Sequence, residues 1–362
     1  MKTLFDPVSI GTLSLKNRIL RSATHERAYD AERERFSPFL APIYKALAEG
    51  GVGAIITGMM GVGPNARLMP SMPDATTATA ASEFRILADL VHDYDCPILV
   101  QLSHCGKRST VTENDGPAWG PMDTAQSSGK QVKAMNAADI ATVAQGFATA
   151  AARCRDAGID GVQIHGAHGY ALSQFCSPYF NKRTDEYGGC IKGRSRIIFE
   201  VYDAVRQKVG KDYPVWIKLS GREIVDEATT WEEFLWLCRE LEARGINAIE
   251  CSGGVGENAK TSSSQVVLKE EDEGTFATEA LTLADAVSVP VISVCGYRTP
   301  AIINDRLNKG NIAAISLCRP LLAEPGLVNR WLSGDLAKSP CISCNQCFFQ
   351  KKGFGCQVAL SN

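Results

Sequence analysis

The strongest constraint on this chain is a rhythm. Eight short apolar or β-branched runs recur along it, separated by longer stretches with helical spacing. The runs are NRILRSA (17–23), GAIIT (53–57), PILVQLS (97–103), DGVQIH (160–165), PVWIKLS (214–220), NAIECSG (247–253), PVISVCG (290–296) and IAAISLC (312–318). Several are almost continuously apolar, as strands buried on both faces must be. Between them lie amphipathic stretches such as PFLAPIYKALAEGG (38–51), ADIATVAQGFATAAARCRDAG (138–158) and WEEFLWLCRELEARG (231–245). Each ends on glycine shortly before the next strand, the signal of a helix C-terminus. Eight such units in 362 residues predict an α/β fold, a closed (β/α)8 TIM barrel. A doubly wound sheet is the competing architecture, but no G-x-G-x-x-G follows an early strand. The segment LFDPVSIGTLSLKN (4–17) predicts an N-terminal hairpin that caps the bottom of the barrel. No linker, repeat or shift of composition divides the chain. Residues 1–362 are therefore expected to form one domain, with 338–362 as a Cys-containing C-terminal extension.

Composition narrows the partners. The formal net charge is −2 and lysines and arginines are not clustered, which argues against nucleic acid and anionic membranes. The N-terminus has no long apolar segment of the secretory kind, and runs such as PILVQL are too short to cross a bilayer. A soluble, cytoplasmic protein is expected. Thirteen cysteines, an odd number spread along the chain, predict reduced thiols or metal ligands and not a disulfide framework.

A barrel of this type carries its active site at the C-terminal ends of its strands. Those positions are rich in polar side chains here. The first strand is followed by Thr24, His25 and Glu26, and the third carries Gln101 and is followed by His104. The fourth gives His165, His168 and Tyr170, and the fifth gives Lys218. The seventh ends in Cys295-Gly296 and the eighth in Cys318-Arg319. In a continuing strand, residues three apart point to opposite faces, so His165 and His168 could not share a ligand. Gly166 and Gly169 are expected to break the strand and bring both imidazoles to the barrel axis beside Tyr170. Three readings of the pair then compete. A metal site lacks a third ligand with telling spacing. A purely structural pair is the second. The third, which suits a loop at a barrel mouth best, is a clamp for a carbonyl oxygen. A tyrosine beside such a clamp can donate a proton. No side chain can donate hydride, so this chemistry would need a cofactor.

The run GVQIHGAHGYALSQFCSPYFNKRTDEYGG (161–189) resembles the signature of the old yellow enzyme family of FMN-dependent ene-reductases. So do NRILRSATHE (17–26), QLSHCGK (101–107), VISVCGYR (291–298) and SLCRPLLAEP (316–325), in the family's order over nearly the whole chain. The resemblance implies FMN across the top of the barrel and NADH or NADPH as reductant. It places the FMN phosphate near Gly296, Cys318 and Arg319. It places Gln101 and Lys218 at the polar edge of the flavin, and Ala23, Thr24 and His25 along its other side. Gly58 is expected to let the ring approach closely. His165 and His168 would hold the carbonyl of an α,β-unsaturated substrate and Tyr170 would protonate it. Members of the family commonly self-associate, so a homo-oligomer is expected. Three departures stand out. Gly193 replaces an asparagine in CIKGRSR (190–196), Lys218 stands where many relatives have arginine, and the strand-seven glycine pair is Cys295-Gly296.

The tail carries Cys341, Cys344, Cys347 and Cys356 as C-x2-C-x2-C-x8-C. Larger members of the family, of the dienoyl-CoA reductase and amine dehydrogenase type, hold a 4Fe–4S cluster in this region, with a different spacing. Thiols of a C-terminal cap are preferred here over a cluster or zinc, so no metal is assigned. An iron–sulfur flavoprotein and a flavin-binding redox protein with little turnover remain the alternatives to the ene-reductase.

Overall fold

The computed structural model describes residues 1–350 and 354–359. All eight expected strands form. They are β1 (Ile19–Arg21), β2 (Ala54–Gly61), β3 (Ile98–Ser103), β4 (Gly161–Gly166), β5 (Val215–Arg222), β6 (Ala248–Gly253), β7 (Val291–Val294) and β8 (Ala314–Leu317). They pair in parallel and in sequence order, and Ile315 of β8 registers with Ile19 of β1 to close the barrel. Helices between the strands cover the outside, among them Leu40–Glu49, Ala137–Asp156 and Trp231–Ala243.

The helix termini follow from local chemistry. Asn136 with Asp139, and Thr230 with Glu233, form reciprocal capping boxes that satisfy backbone N–H groups at two helix starts. Gly51, Gly158 and Gly245 follow the ends of the three quoted helices at φ of +90°, +87° and +86°, where any Cβ would be strained.

The barrel interior is layered. The lower layer is apolar: Leu20, Ala54, Ile56, Leu99, Trp216, Ala248, Ile292 and Ala314 form one buried cluster. The expected N-terminal hairpin seals it from below. Val8–Ile10 pairs with Leu13–Leu15, and Ile10 and Leu15 join the same cluster. Above this layer the inward positions turn polar, with Gln101, Gln163, Lys218 and Glu250 all buried. The strand period of two sends these side chains to the face that carries the apolar layer below.

Two small sheets were not expected. Tyr29–Asp30 pairs with Arg35–Phe36 after β1, and Ala118–Gly120, Thr124–Ala125 and Gln131–Ala134 form a three-stranded sheet after β3. All lie in βα connections. All thirteen cysteines are free thiols. Among the described residues no helix is long and apolar enough to cross a membrane.

The plug makes a stability prediction. Ile10 is fully buried against the lower layer. Ile10→Ala should destabilise the protein by about 2–5 kcal/mol, read as a lower urea midpoint with an unchanged slope. An unchanged midpoint would mean that the hairpin does not contribute to the core.

Candidate active site

Two joined cavities open at the C-terminal ends of the strands. The smaller, about 80 Å³, is lined by the backbone turns after β7 and β8. The larger, about 440 Å³, lies in the range of small-molecule sites. Ala23, His168, Lys218, Cys318 and Arg319 line both. Of the residues singled out in the sequence, Thr24, His25, Gln101, His165 and Tyr170 face the larger cavity, and Gly296 faces the smaller.

The histidine loop departs from the expected geometry in one respect. Gly166 is still the last residue of β4, and its missing side chain makes room for Leu219, 2.9 Å from where a Cβ would lie. The chain turns at His168 itself, which adopts φ +61°, followed by Gly169 at φ +70°. A left-handed histidine costs free energy, and its neighbours hold it there. Ser220 Oγ accepts from the His168 backbone N–H at 3.2 Å, and Arg108 donates to its carbonyl at 3.1 Å. A Cβ on Gly169 would lie 2.0 Å from the Val255 carbonyl, so glycine is required there.

The turn brings three rings together. The His165 ring lies 5.1 Å from that of His168 and 4.9 Å from that of Tyr170, edge to face in both cases. Burial, then each other's proximity, Lys218 and Arg108, hold the His165 imidazole far below its usual titration range. Burial, Lys218 and Arg108 do the same to His168. Burial pushes the Tyr170 phenol up to about 12, with Arg108 opposing. At neutral pH the site therefore presents two uncharged imidazoles and a protonated phenol. His168 Nε2 lies 2.8 Å from Ser252 Oγ, which leaves Nδ1 as its other ring nitrogen. Among the described residues no three metal-ligating side chains converge, at this pair or in the tail.

Below the rings lies a network that the sequence reading did not find. Lys218 Nζ is 3.1 Å from Glu250 Oε2 and donates to Ser22 Oγ at 3.0 Å. Gln163 donates to Glu250 at 2.7 Å, and Gln101 donates to Gln163 at 2.7 Å. Gln163 and Glu250 sit inside quoted strands, and their signal was a polar residue at an inward position of an otherwise apolar run. Arg108 was also missed. It lies just past QLSHCGK, in the short turn Gly106–Arg108.

The site suits a flavin. His25 Nε2 and Ser316 Oγ are buried without hydrogen-bond partners, and each belongs to a residue lining one of the cavities. Burial holds His25 down at about 4, so it faces the cavity uncharged. Backbone turns at Gly296 and Cys318 and the Arg319 guanidinium form the narrow end, as a phosphate site would require. Two of the noted departures find local reasons. Cys295 takes φ +83°, a value usual for glycine, with its Sγ 3.5 Å from Ser252 Oγ. Gly193 packs against the Gly188 carbonyl, 2.1 Å from where a Cβ would sit.

Gly58 does not serve as expected. It lines neither cavity. A Cβ there would meet Glu26 Oε2 at 1.9 Å and the Thr24 carbonyl at 2.6 Å. Glu26 is held by Arg21 at 2.5 Å and by Tyr44 at 2.8 Å, so the glycine makes room for a buried ion pair. Met59, beside a register shift in β2, faces the cavity instead.

The tail is part of the site. Ser343 Oγ accepts from the Val267 backbone N–H at 2.9 Å and from Arg319 at 2.9 Å, and Asn345 Oδ1 accepts from Arg319 at 2.6 Å. Cys341 lines the smaller cavity and Cys347 and Phe348 line the larger. Cys344 is exposed.

Residues 3–336 match the model of the NADH:flavin oxidoreductase / NADH oxidase family. The chain is 35% identical over 366 residues to a metal reductase of Desulforamulus reducens, covering 99% of this chain and 53% of that protein. It is 31% identical over 353 residues to an NADH oxidase of Thermoanaerobacter brockii, covering 94% and 52%. Its fold superimposes on a 2-naphthoyl-CoA reductase complex with a TM-score of 0.87 at 22% identity, covering 95% of this chain and 54% of that one. The chain spans about half the length of these relatives.

Gly58→Ala should lower stability by about 1–3 kcal/mol through strain against Glu26, with flavin content per folded molecule unchanged. Normal stability with lost flavin would return Gly58 to the cofactor site.

Proposed function

The chain belongs to the NADH:flavin oxidoreductase / NADH oxidase family, the old yellow enzyme family that its motifs resemble, and we propose that it reduces the C=C bond of an α,β-unsaturated carbonyl compound with NAD(P)H. The observation that carries this reading is the set of two neutral imidazoles and one protonated phenol facing the larger of two joined cavities, with Gly296, Cys318 and Arg319 lining the smaller. FMN, when bound, would supply the hydride-transfer chemistry between NAD(P)H and the alkene. Gly296, Cys318 and Arg319 would hold its phosphate, and Ala23, Thr24, His25, Gln101 and Lys218 its ring system. Gln101 has one amide hydrogen committed to Gln163, which leaves a second hydrogen and the carbonyl oxygen for a ligand.

The protein's own groups do the rest. His165 and His168 donate N–H bonds to the substrate oxygen. Neutral imidazoles suit this role because they gain strength as negative charge develops on that oxygen. Tyr170 gives its proton to the α carbon; with its phenol near 12 it holds that proton throughout neutral pH. NAD(P)H and substrate share one cavity, so ping-pong kinetics follow.

Tyr170→Phe tests this directly. In stopped-flow measurements flavin reduction by NAD(P)H should be nearly unchanged, while alkene reduction slows by about 10²–10⁴-fold. Equal rates for both half-reactions in variant and wild type would sink the role of Tyr170.

A second reading, an iron–sulfur flavoprotein of the dienoyl-CoA reductase or amine dehydrogenase type, draws on the position of the tail. Cys341 and Cys347 line the same cavities, and the relatives are about twice as long. The described residues do not bring three tail thiols together, so no step is derived through a cluster. Iron and acid-labile sulfide assays on anaerobically purified protein decide the matter. About four irons per chain would establish a cluster at these cysteines, and iron-free flavoprotein would remove this reading.

A further inference from the structure

The charge of the larger cavity is one-sided. Arg27, Arg108, Lys218 and Arg319 line it and, among the described residues, no carboxylate does, although the whole chain carries a net charge of −2. Lys218 has a counter-charge in Glu250 at 3.1 Å. Arg319 belongs to the narrow end that the proposed function gives to a phosphate. Arg108 has no such partner. Its neighbour Lys107 takes the nearby Glu257 at 3.2 Å, and among the described residues Arg108 forms no ion pair. Its guanidinium stands over the Tyr170 ring, 4.9 Å from the centroid, and Nη1 donates to the His168 carbonyl at 3.1 Å. A guanidinium carries five N–H donors, and this contact uses one. Arg108 is half-buried at the cavity wall; a ligand that displaced water from its other donors without offering a counter-charge would bind at a cost, whereas an anionic ligand would replace that water with paired, charge-assisted hydrogen bonds.

We propose that Arg108 receives a carboxylate on the substrate, so that the alkene reduced here belongs to an apolar molecule bearing an acid group. This rests on the function proposed above and adds the substrate class. The cavity wall agrees: Met59, Leu68, Met69 and Leu322 supply apolar surface to the same cavity. The position beside Tyr170 and His168 places the acid group next to the reacting carbons. It also makes Arg108 a determinant of specificity, because a neutral substrate would leave the guanidinium desolvated and unpaired.

The experiment uses the flavin-loaded protein and two phenols of similar shape, 4-hydroxybenzoate and 4-hydroxybenzamide. Binding is followed by calorimetry and by the flavin absorbance spectrum. The wild type should bind the carboxylate about tenfold or more tightly than the amide. Arg108→Gln should abolish the ratio, and Arg108→Lys, which keeps the charge and loses the fork, should retain part of it. A ratio near one in the wild type, or a ratio unchanged in Arg108→Gln, overturns the proposal. An arginine that served only to brace His168 and Tyr170 would weaken both phenols together and leave the ratio intact, which also counts against it. Should Arg108→Gln fail to fold, the wild-type ratio and its reduction in Arg108→Lys decide the question. The two readings fail separately. An Arg108-dependent preference seen in calorimetry with no change in the flavin spectrum keeps the anion site and sinks the ene-reductase. Flavin-perturbing binding without preference sinks only the role of Arg108.

Discussion

An ammonium and a carboxylate with almost no solvent exposure meet inside the barrel, Lys218 and Glu250 at 3.1 Å. Much of the site depends on this pair. Either charge alone would be expensive to bury, and together they are tolerable only when their remaining hydrogen-bonding capacity is filled. Ser22 and Gln163 fill it, and Gln101 extends the chain of bonds to β3. One network therefore ties β3, β4, β5, β6 and the residue after β1 together at the cavity floor. The apolar layer and hairpin plug beneath it keep water away from the network from below. This gives the lysine a fixed position from which to act on whatever lies above.

The reactive rings sit on that floor in a strained loop. His168 adopts a left-handed conformation, and Cys295 across the barrel does the same. Ser252 links the two, with its Oγ 2.8 Å from His168 Nε2 and 3.5 Å from Cys295 Sγ. Strain of this kind persists only where surrounding contacts over-determine the backbone, and these two residues stand at the C-terminal ends of β4 and β7. Burial with nearby cations keeps the imidazoles uncharged, and burial keeps the phenol protonated. The environment sets the protonation states that carbonyl activation needs, and the residue types supply the donors.

The C-terminal extension changes from a cap into a wall. Ser339 pairs with Arg298 through the backbone at 2.9 Å, and Ser343 and Asn345 bind Arg319. Arg319, at the narrow end of the site, is thus positioned by residues that follow the barrel. The extension also brings Cys341 and Cys347 to the cavities.

The sequence by itself determined the barrel. Runs buried on both faces, helices closed by glycine and strict alternation leave few alternatives, because backbone hydrogen bonding and strand period are local properties. It also located the polar residues of the mouth, since their positions at strand ends follow from the same count. Tertiary structure decided the rest. Which inward residues of β4 and β6 pair across the barrel depends on register between strands, so Gln163 and Glu250 were invisible as a unit. Gly58 looked like a cofactor contact, but its neighbour Glu26 is brought to it by the turn after β1. Arg108 carries no motif of its own. Its place at the cavity appears only when the loop after β3 sets its guanidinium over Tyr170, where it forms no ion pair among the described residues. Contacts between side chains distant in sequence are set by closure of the whole barrel, and no local pattern encodes them.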